Sequence, residues 1–426
     1  MNSLAQTFFP LKALAGRDDL YYPNLNDNIS KILPSILTLF DFKFLKSKTL
    51  LSSLSKKEGW NRIQENEISN ILFVTLDALG LAEFMKYSKL LLKTFDLFGL
   101  PLSSVFPTIT STCIASLKFG TMPIEHGILG HRINFPEIDN VVDTLTLKTN
   151  VGVNLSKVGV NVKNWVWSDF PVSKNPQINH IGLIENFIAN SGLSELVNEK
   201  QNAIGYSSHI DCFAAAQRIL ETATSEKTLI DLYIGSIDSI SHRYSTESQT
   251  LMDEVQNIEE LFIRMLSRLD PKIASETVVV VTADHGQENL TSENKIIITS
   301  EDEEILAPLL KSRGRSGRVI HLLSEEGKRD AIVDWFSDKI GNNGVIFTEE
   351  QYPSIMGKGA ANPKVIERIG DVQIILGKNA SMFFGHSGDY NTTYKLGLNA
   401  THGSLSKNEL LVPLIIGRVP DILEII

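Results

Sequence analysis

From residue 70 onward the chain runs in short apolar stretches that stop at a polar residue. Asn70-ILFVTL-Asp77, Ile230-DLYIGSI-Asp238 and Glu276-TVVVVTA-Asp284 are three of them. Apolar, β-branched runs of this length suit strands buried on both faces of a parallel sheet. Helical spacing fills the intervals, over about 81–95, 111–119, 210–224 and 249–268. Strands alternating with helices predict an α/β sandwich, a mostly parallel central sheet with helices on both faces.

Residues 1–69 read differently. Asn28 to Leu54 is helix-prone, with Leu, Ile and Phe at mixed spacing and lysines interspersed. A helical layer packed on the main domain is expected; a partner-binding or membrane-surface helix is the alternative. The stretch Ile29 to Leu45 is broken by Pro34 and by Lys31, Asp41 and Lys43, so no transmembrane helix is expected. The opening MNSLAQTFFPLKALAG lacks the basic and continuous apolar regions of a signal peptide. A cytoplasmic location is therefore expected.

Composition narrows the class. With 426 residues, 42% hydrophobic and 21% charged, the chain is neither disordered nor fibrous. Two cysteines, Cys113 and Cys212, exclude a disulfide framework and a Cys-rich metal module. A net charge of −10 argues against stable nucleic-acid binding. A small anionic substrate remains compatible, because metal ions can supply local positive charge.

In each of the three runs an Asp follows the apolar residues, and ligands of parallel α/β sheets bind beyond the strands' carboxyl ends. A single Asp there would equally suit a helix N-cap. Three of them converge on one edge, and histidines accompany them. Asp284-His285-Gly286 sets a carboxylate beside an imidazole at a turn that Gly286 permits. Asp238 and His242 are four apart, on one side of a helical turn. His402, in THGSL, adds a third imidazole. Asp77, Asp238, His242, Asp284, His285 and His402 offer carboxylate and imidazole without thiolate, a set suited to zinc, with manganese or iron as alternatives. Six ligands exceed one tetrahedral ion; two divalent ions with three each would keep open positions for substrate.

The segment FPTITSTCIASLKFG carries the candidate nucleophile. Helical spacing begins near Ser111 and stops at Gly120, which places Thr110 at a helix start. Thr110 reads either as an N-cap or as a hydroxyl that attacks phosphorus beside free backbone N–H groups; the two are compatible.

These pieces in this order (Asp77 after a strand, FPTIT followed by GTMPIEHGI, Asp238 with His242, Asp284-His285-Gly286 and THGSLSKNELLVPL) resemble the alkaline phosphatase superfamily. Within it the chain looks most like type I phosphodiesterases/nucleotide pyrophosphatases, over 70–287 and about 388–426. The resemblance implies an alkaline-phosphatase-like α/β core, with Thr110 as nucleophile. It implies one zinc on Asp238, His242 and His402 and the other on Asp77, Thr110, Asp284 and His285. It also implies a small phosphate-ester substrate, nucleotides included. One position departs from the pattern: Cys113 stands where the family's F-P-N-H-Y segment has Asn, which puts nucleotide specificity in doubt.

Residues 288–387 fall outside the core pattern and read as an inserted cap. Its Arg313, Arg315 and Arg318 could meet a substrate anion or form a solvated turn. His126 and His386 are further candidates near the site, and Trp165 and Trp167 could stack on a base or pack in the core. The expected function is a two-metal hydrolase of phosphodiester or pyrophosphate bonds acting through a phospho-threonine. A phosphomonoesterase using Arg132, or a phosphotransferase, is the alternative. A sulfatase would need C/S-x-P-x-R, and Cys113-IASLK lacks it.

Overall fold

The computed structural model describes residues 11–65, 67–172, 175, 177–189, 192–197, 203–223, 227–360, 362–384 and 397–426. Seven strands form a central sheet in the order Gly99–Ser103, Leu411–Arg418, Thr277–Thr282, Asn70–Leu76, Lys227–Ile234, Ile178–Glu185, Ala203–Tyr206. Leu411–Arg418 runs antiparallel to both neighbours. The other pairs are parallel. Asn70–Leu76 and Thr277–Thr282 are buried at every residue, as their unbroken apolar sequences require. The run Ile230-DLYIGSI-Asp238 ends sooner as a strand than its sequence pattern implies. The strand stops at Ile234, and Asp238 lies in the first turn of the helix Ser236–Tyr244.

The helical stretch expected over 81–95 is two helices, Leu81–Tyr87 and Leu91–Phe98. The cause is tertiary. The Glu259 carboxylate, from the helix Gln249–Leu266, accepts the backbone N–H groups of Lys89, Leu90 and Leu91 and so starts the second helix. The strand Gly99–Ser103, which follows at once, has no clear apolar signature.

The N-terminal segment forms short pieces rather than one long helix: Ile29–Lys31, Ile32–Leu37, Leu51–Leu54 and Glu58–Ile63. Ile29, Ile32, Leu33, Ile36 and Leu37 are buried. They pack beside the helix Thr110–Phe119, whose C-terminus turns at Gly120 with φ +65°. A Cβ at Gly120 would come within 2.7 Å of the Pro34 ring.

A second, antiparallel sheet has the order Gly344–Thr348, Val372–Leu376, Val319–Ser324, Leu310–Ser316, Arg132–Phe135, Asn140–Asp143, Lys148–Thr149. Residues 288–387 therefore do not form this sheet alone; Arg315 pairs with Arg132 across the join. A separate apolar cluster, including Ile320, Leu322, Phe336 and Ile374, lies beneath its inserted half. The strand Glu288–Asn289 pairs with Ala400–Thr401, tying the start of the insertion to the approach to His402.

Candidate metal centre and nucleophile

All of the candidate ligands gather at the carboxyl edge of the central sheet. Asp77 directly follows Asn70–Leu76, and its amide donates to Ile234 O at 2.9 Å. Asp284 lies two residues beyond Thr277–Thr282. Its Oδ1 accepts from Ala78 N at 3.1 Å and His285 N at 2.9 Å, which locks the two turns together. At Gly286 a Cβ would lie 2.0 Å from the Asn408 carbonyl, so only glycine fits this turn. Asp238 and His242 share one face of their helix, His242 Nε2 standing 3.3 Å from Asp238 Oδ1. His402 comes in beyond the short strand Ala400–Thr401.

The six residues form two groups, Asp238–His242–His402 and Asp77–Asp284–His285, each with ligand atoms within 4.8 Å of one another. Their hydrogen bonding suits cations. Each imidazole spends Nδ1 on a backbone carbonyl: His242 on Ala400 O at 2.7 Å, His402 on Thr108 O at 2.8 Å, His285 on Gly286 O at 3.1 Å. A carbonyl only accepts, so each Nδ1 carries the proton and each Nε2 presents a lone pair in the neutral ring. Those lone pairs face carboxylate oxygens. His402 Nε2 lies 3.4 Å from Asp238 Oδ1, and His285 Nε2 lies 3.3 Å from Asp284 Oδ2 and 3.6 Å from Asp77 Oδ1. Lone pair against lone pair is repulsive unless a proton or a metal ion sits between. Asp77 Oδ1 and Asp284 Oδ2 are also buried without a hydrogen-bond partner. Burial, then the charges of Asp284 and Asp238, push the Asp77 carboxyl well above its usual range. The donor set fits two divalent ions, one per group.

Thr110 is the first residue of the helix Thr110–Phe119, with Ile109 as the cap in an extended conformation. Its Oγ1 lies 3.2 Å from His285 Nε2. The hydroxyl thus reaches the second group from the start of its helix.

Several residues support these groups from behind. Thr108 is central: its carbonyl holds the His402 ring, its Oγ1 donates to Ser404 O at 2.7 Å, and Gly403 N donates to that Oγ1 at 3.1 Å. Gln287 donates through Nε2 to both the Asp238 carbonyl and Oδ1. The Tyr233 hydroxyl donates to Asp77 Oδ2. Gln287 adjoins the Asp284-His285-Gly286 turn and Tyr233 is the penultimate residue of the strand Lys227–Ile234, positions that single out neither until the chain is folded.

Other candidates have structural roles. Arg318 is fully buried and pairs with the equally buried Glu409 at 2.6 Å, so it does not meet substrate. Glu409 in turn accepts Ser404 N and Ser406 N. His126 is buried, bonded to Ser116 Oγ at 2.9 Å and accepting from Ile128 N at 3.1 Å. Burial, with Arg368 adding to it, lowers its pKa to about 3. Trp165 packs on Phe135, and Trp167 faces the Arg368 guanidinium. Cys113 is fully buried, its Sγ against Ser104 Oγ at 3.3 Å and Pro107 O at 3.6 Å. Burial pushes its thiol pKa well up. Arg132, Arg313 and Arg315 line a cleft in the second sheet. His386 lies outside the described residues.

Known proteins share this fold. The chain superimposes on murine ectonucleotide pyrophosphatase/phosphodiesterase 5 with a TM-score of 0.61 at 17% identity, over 82% of this chain and 87% of that one. An inactive variant of that protein in complex with AMP matches at a TM-score of 0.59 and 16% identity, over 82% and 88%. Phosphonoacetate hydrolase from Sinorhizobium meliloti 1021, in complex with phosphonoformate, matches at 0.56 and 15%, over 84% and 95%. These likenesses establish an alkaline-phosphatase-like fold. No curated protein sequence matches the chain. The sequence model of type I phosphodiesterases/nucleotide pyrophosphatases matches residues 80–405, and the chain belongs to that family of hydrolases.

Proposed function

We propose that the protein is a two-metal-dependent hydrolase of phosphodiester or pyrophosphate bonds that works through a covalent phospho-threonine at Thr110. The observation that carries this reading is the placement of Thr110 Oγ1, 3.2 Å from His285 Nε2 at the head of its helix. Asp238, His242 and His402 would hold one ion; Asp77, Asp284 and His285, with Thr110, would hold the other. Bound divalent cations, zinc by the donor chemistry with manganese or iron as alternatives, would lower the hydroxyl's pKa and offset charge building on phosphorus.

Thr110 Oγ1 attacks phosphorus in line with the departing oxygen; the P–O bond to the leaving group breaks as the Thr–O–P bond forms. Water then attacks the phospho-threonine and releases phosphate or a phosphate monoester, restoring the hydroxyl. The backbone N–H groups at the start of Thr110–Phe119 orient a phosphate oxygen. Cys113, its thiol turned to Ser104 and the Pro107 carbonyl, offers no equivalent of an Asn amide donor. The AMP bound to an inactive neighbour makes a nucleotide one substrate to try.

The test compares kcat/KM for bis-p-nitrophenyl phosphate and p-nitrophenyl phosphate on metal-loaded protein, with Thr110→Ala as control. Preference for the diester supports the proposal. Preference for the monoester turns it toward a phosphatase, and full activity in Thr110→Ala removes the threonine from the mechanism.

A further inference from the structure

The second sheet carries a basic cleft that the proposed chemistry does not use. Its volume is about 710 Å³, and none of the six candidate metal ligands, nor Thr110, lines it. Its cations are Arg132, Lys311, Arg313 and Arg315. The strand Leu310–Ser316 explains how three of them meet. Side chains alternate across a strand, so residues 313 and 315 share one face, while Gly314 and Ser316 are buried on the other; Lys311 lies at the register shift between Leu310 and Ser312 and reaches the same cleft. Arg132 enters from the neighbouring strand, directly opposite Arg315 in the register.

Here an Arg–Arg pair sits beside two more cations in a chain whose net charge is −10. Among the described residues the acids on the lining are Asp139 and Glu303; Glu303 is engaged by Arg313 at 3.0 Å, and Arg132 donates to Asn150 Oδ1 at 2.6 Å. The wall is also built to hold guanidinium planes: Arg313 lies over the Phe384 ring at 3.8 Å to its centroid, and Arg315 over Phe383 at 5.5 Å. Fixed guanidinium forks at strand spacing match a phosphate-bearing anion.

The cleft is joined to the candidate metal centre. At Gly317, just past the basic strand, a Cβ would lie 1.9 Å from the His402 carbonyl, and Arg318 N donates to that carbonyl at 3.0 Å. Arg315 Nε donates to Gly317 O at 2.8 Å. An anion held by Arg315 and Arg132 is therefore one short turn of backbone from the loop that carries His402.

We propose that this cleft binds a phosphate-bearing anionic group, adjacent to and separate from the metal ligands, and that it receives the distal phosphates of a substrate cleaved at the centre. The substrate half of the proposal rests on the function proposed above; the binding half does not. The tests separate them.

Calorimetry with inorganic pyrophosphate on metal-loaded Thr110→Ala protein, with and without Arg132→Gln and Arg315→Gln, reads the cleft as the part of the binding that the paired change removes. We expect the paired change to weaken binding at least about tenfold, with Arg132→Lys, which keeps the charge but loses the fork, falling between the paired variant and the parent. Lys311→Gln, at an exposed position, should weaken binding less and controls for folding. Equal affinity in the parent and paired variant overturns the proposal. In the otherwise unaltered enzyme, the same paired change should lower kcat/KM for ATP by about tenfold or more relative to bis-p-nitrophenyl phosphate, which has no distal charge. Weakened pyrophosphate binding with an unchanged ratio overturns the substrate role and leaves a site for a free anion. Absence of all turnover with charge-dependent pyrophosphate binding overturns the function proposed above and leaves the cleft intact.

Discussion

The imidazoles of His285 and His402 lie face to face, their ring centroids 3.9 Å apart and their planes within 18°. One belongs to each group of metal-ligand candidates, so the two groups share a wall of stacked rings. Each ring is oriented from behind by a backbone carbonyl, Gly286 for His285 and Thr108 for His402. Neutral rings stack well in this way, whereas two imidazolium ions would repel. The stack therefore accords with deprotonated Nε2 atoms turned toward cations.

Thr110→Ala should reduce turnover by at least about a thousandfold, because the attacking oxygen is gone. The metal content should remain at two ions per chain, since the carboxylates and imidazoles supply the principal ligands. Steady-state kinetics beside elemental analysis of the same sample checks both halves. Loss of metal along with activity would assign Thr110 a ligand role only.

Asp284→Ala or His285→Ala should remove one ion and leave the other on Asp238, His242 and His402. The expected count falls from two per chain to one. A parent protein that binds a single ion would overturn the two-ion arrangement.

Thr108→Val keeps shape but leaves Gly403 N without its acceptor in a buried loop. An unsatisfied buried donor costs about 1–3 kcal/mol. We expect a loss of that order in denaturant unfolding, and metal affinity at the His402 group weakened roughly 10- to 100-fold through a less firmly oriented ring. Competition with a chelator reads the second effect.

Glu409→Ala strands Arg318, which is fully buried, without its carboxylate. Breaking a buried pair from one side costs about 3–5 kcal/mol. Ser404 N and Ser406 N lose their acceptor in the same step. Urea unfolding should show a loss of at least that size, and a change under about 1 kcal/mol would show that solvent reaches the guanidinium.

His126 makes stability fall in acid. Its folded pKa, lowered to about 3 by burial and by Arg368, lies below the ordinary value of 6.5, so the unfolded chain binds the proton more readily. The stabilising contribution of the neutral ring is complete above pH 6.5 and is lost as pH falls toward 3. At pH 5 the penalty is about 2 kcal/mol. Unfolding of the parent and of His126→Asn at pH 7.5 and pH 5 should show a shallower acid loss in the variant. Parallel losses would mean that His126 is not neutral when folded.

Much of the site was legible before folding because its residues sit at local landmarks. Asp77 and Asp284 follow buried strands, Asp238 and His242 are one helical turn apart, and Thr110 heads a helix. Each of these depends on spacing along the chain. The arginines of the insertion show the opposite case. Arg313, Arg315 and Arg318 are near neighbours in sequence, yet strand alternation and the turn at Gly317 send Arg318 into the core against Glu409 and the others to an open cleft. The split of 81–95 into two helices was invisible for a similar reason: its cause, Glu259, is more than a hundred and fifty residues away.

The sequence by itself determined the alternating α/β architecture, the buried parallel strands and the identity of the groups at their ends, because strand burial and helical periodicity are written in local order. Only the tertiary structure decided which atoms face one another. The stacked rings of His285 and His402, the carbonyl of Thr108 behind one of them, and the pairing of Arg132 with Arg315 join segments far apart in the chain. Such contacts depend on where distant segments pack, and local spacing holds no record of that.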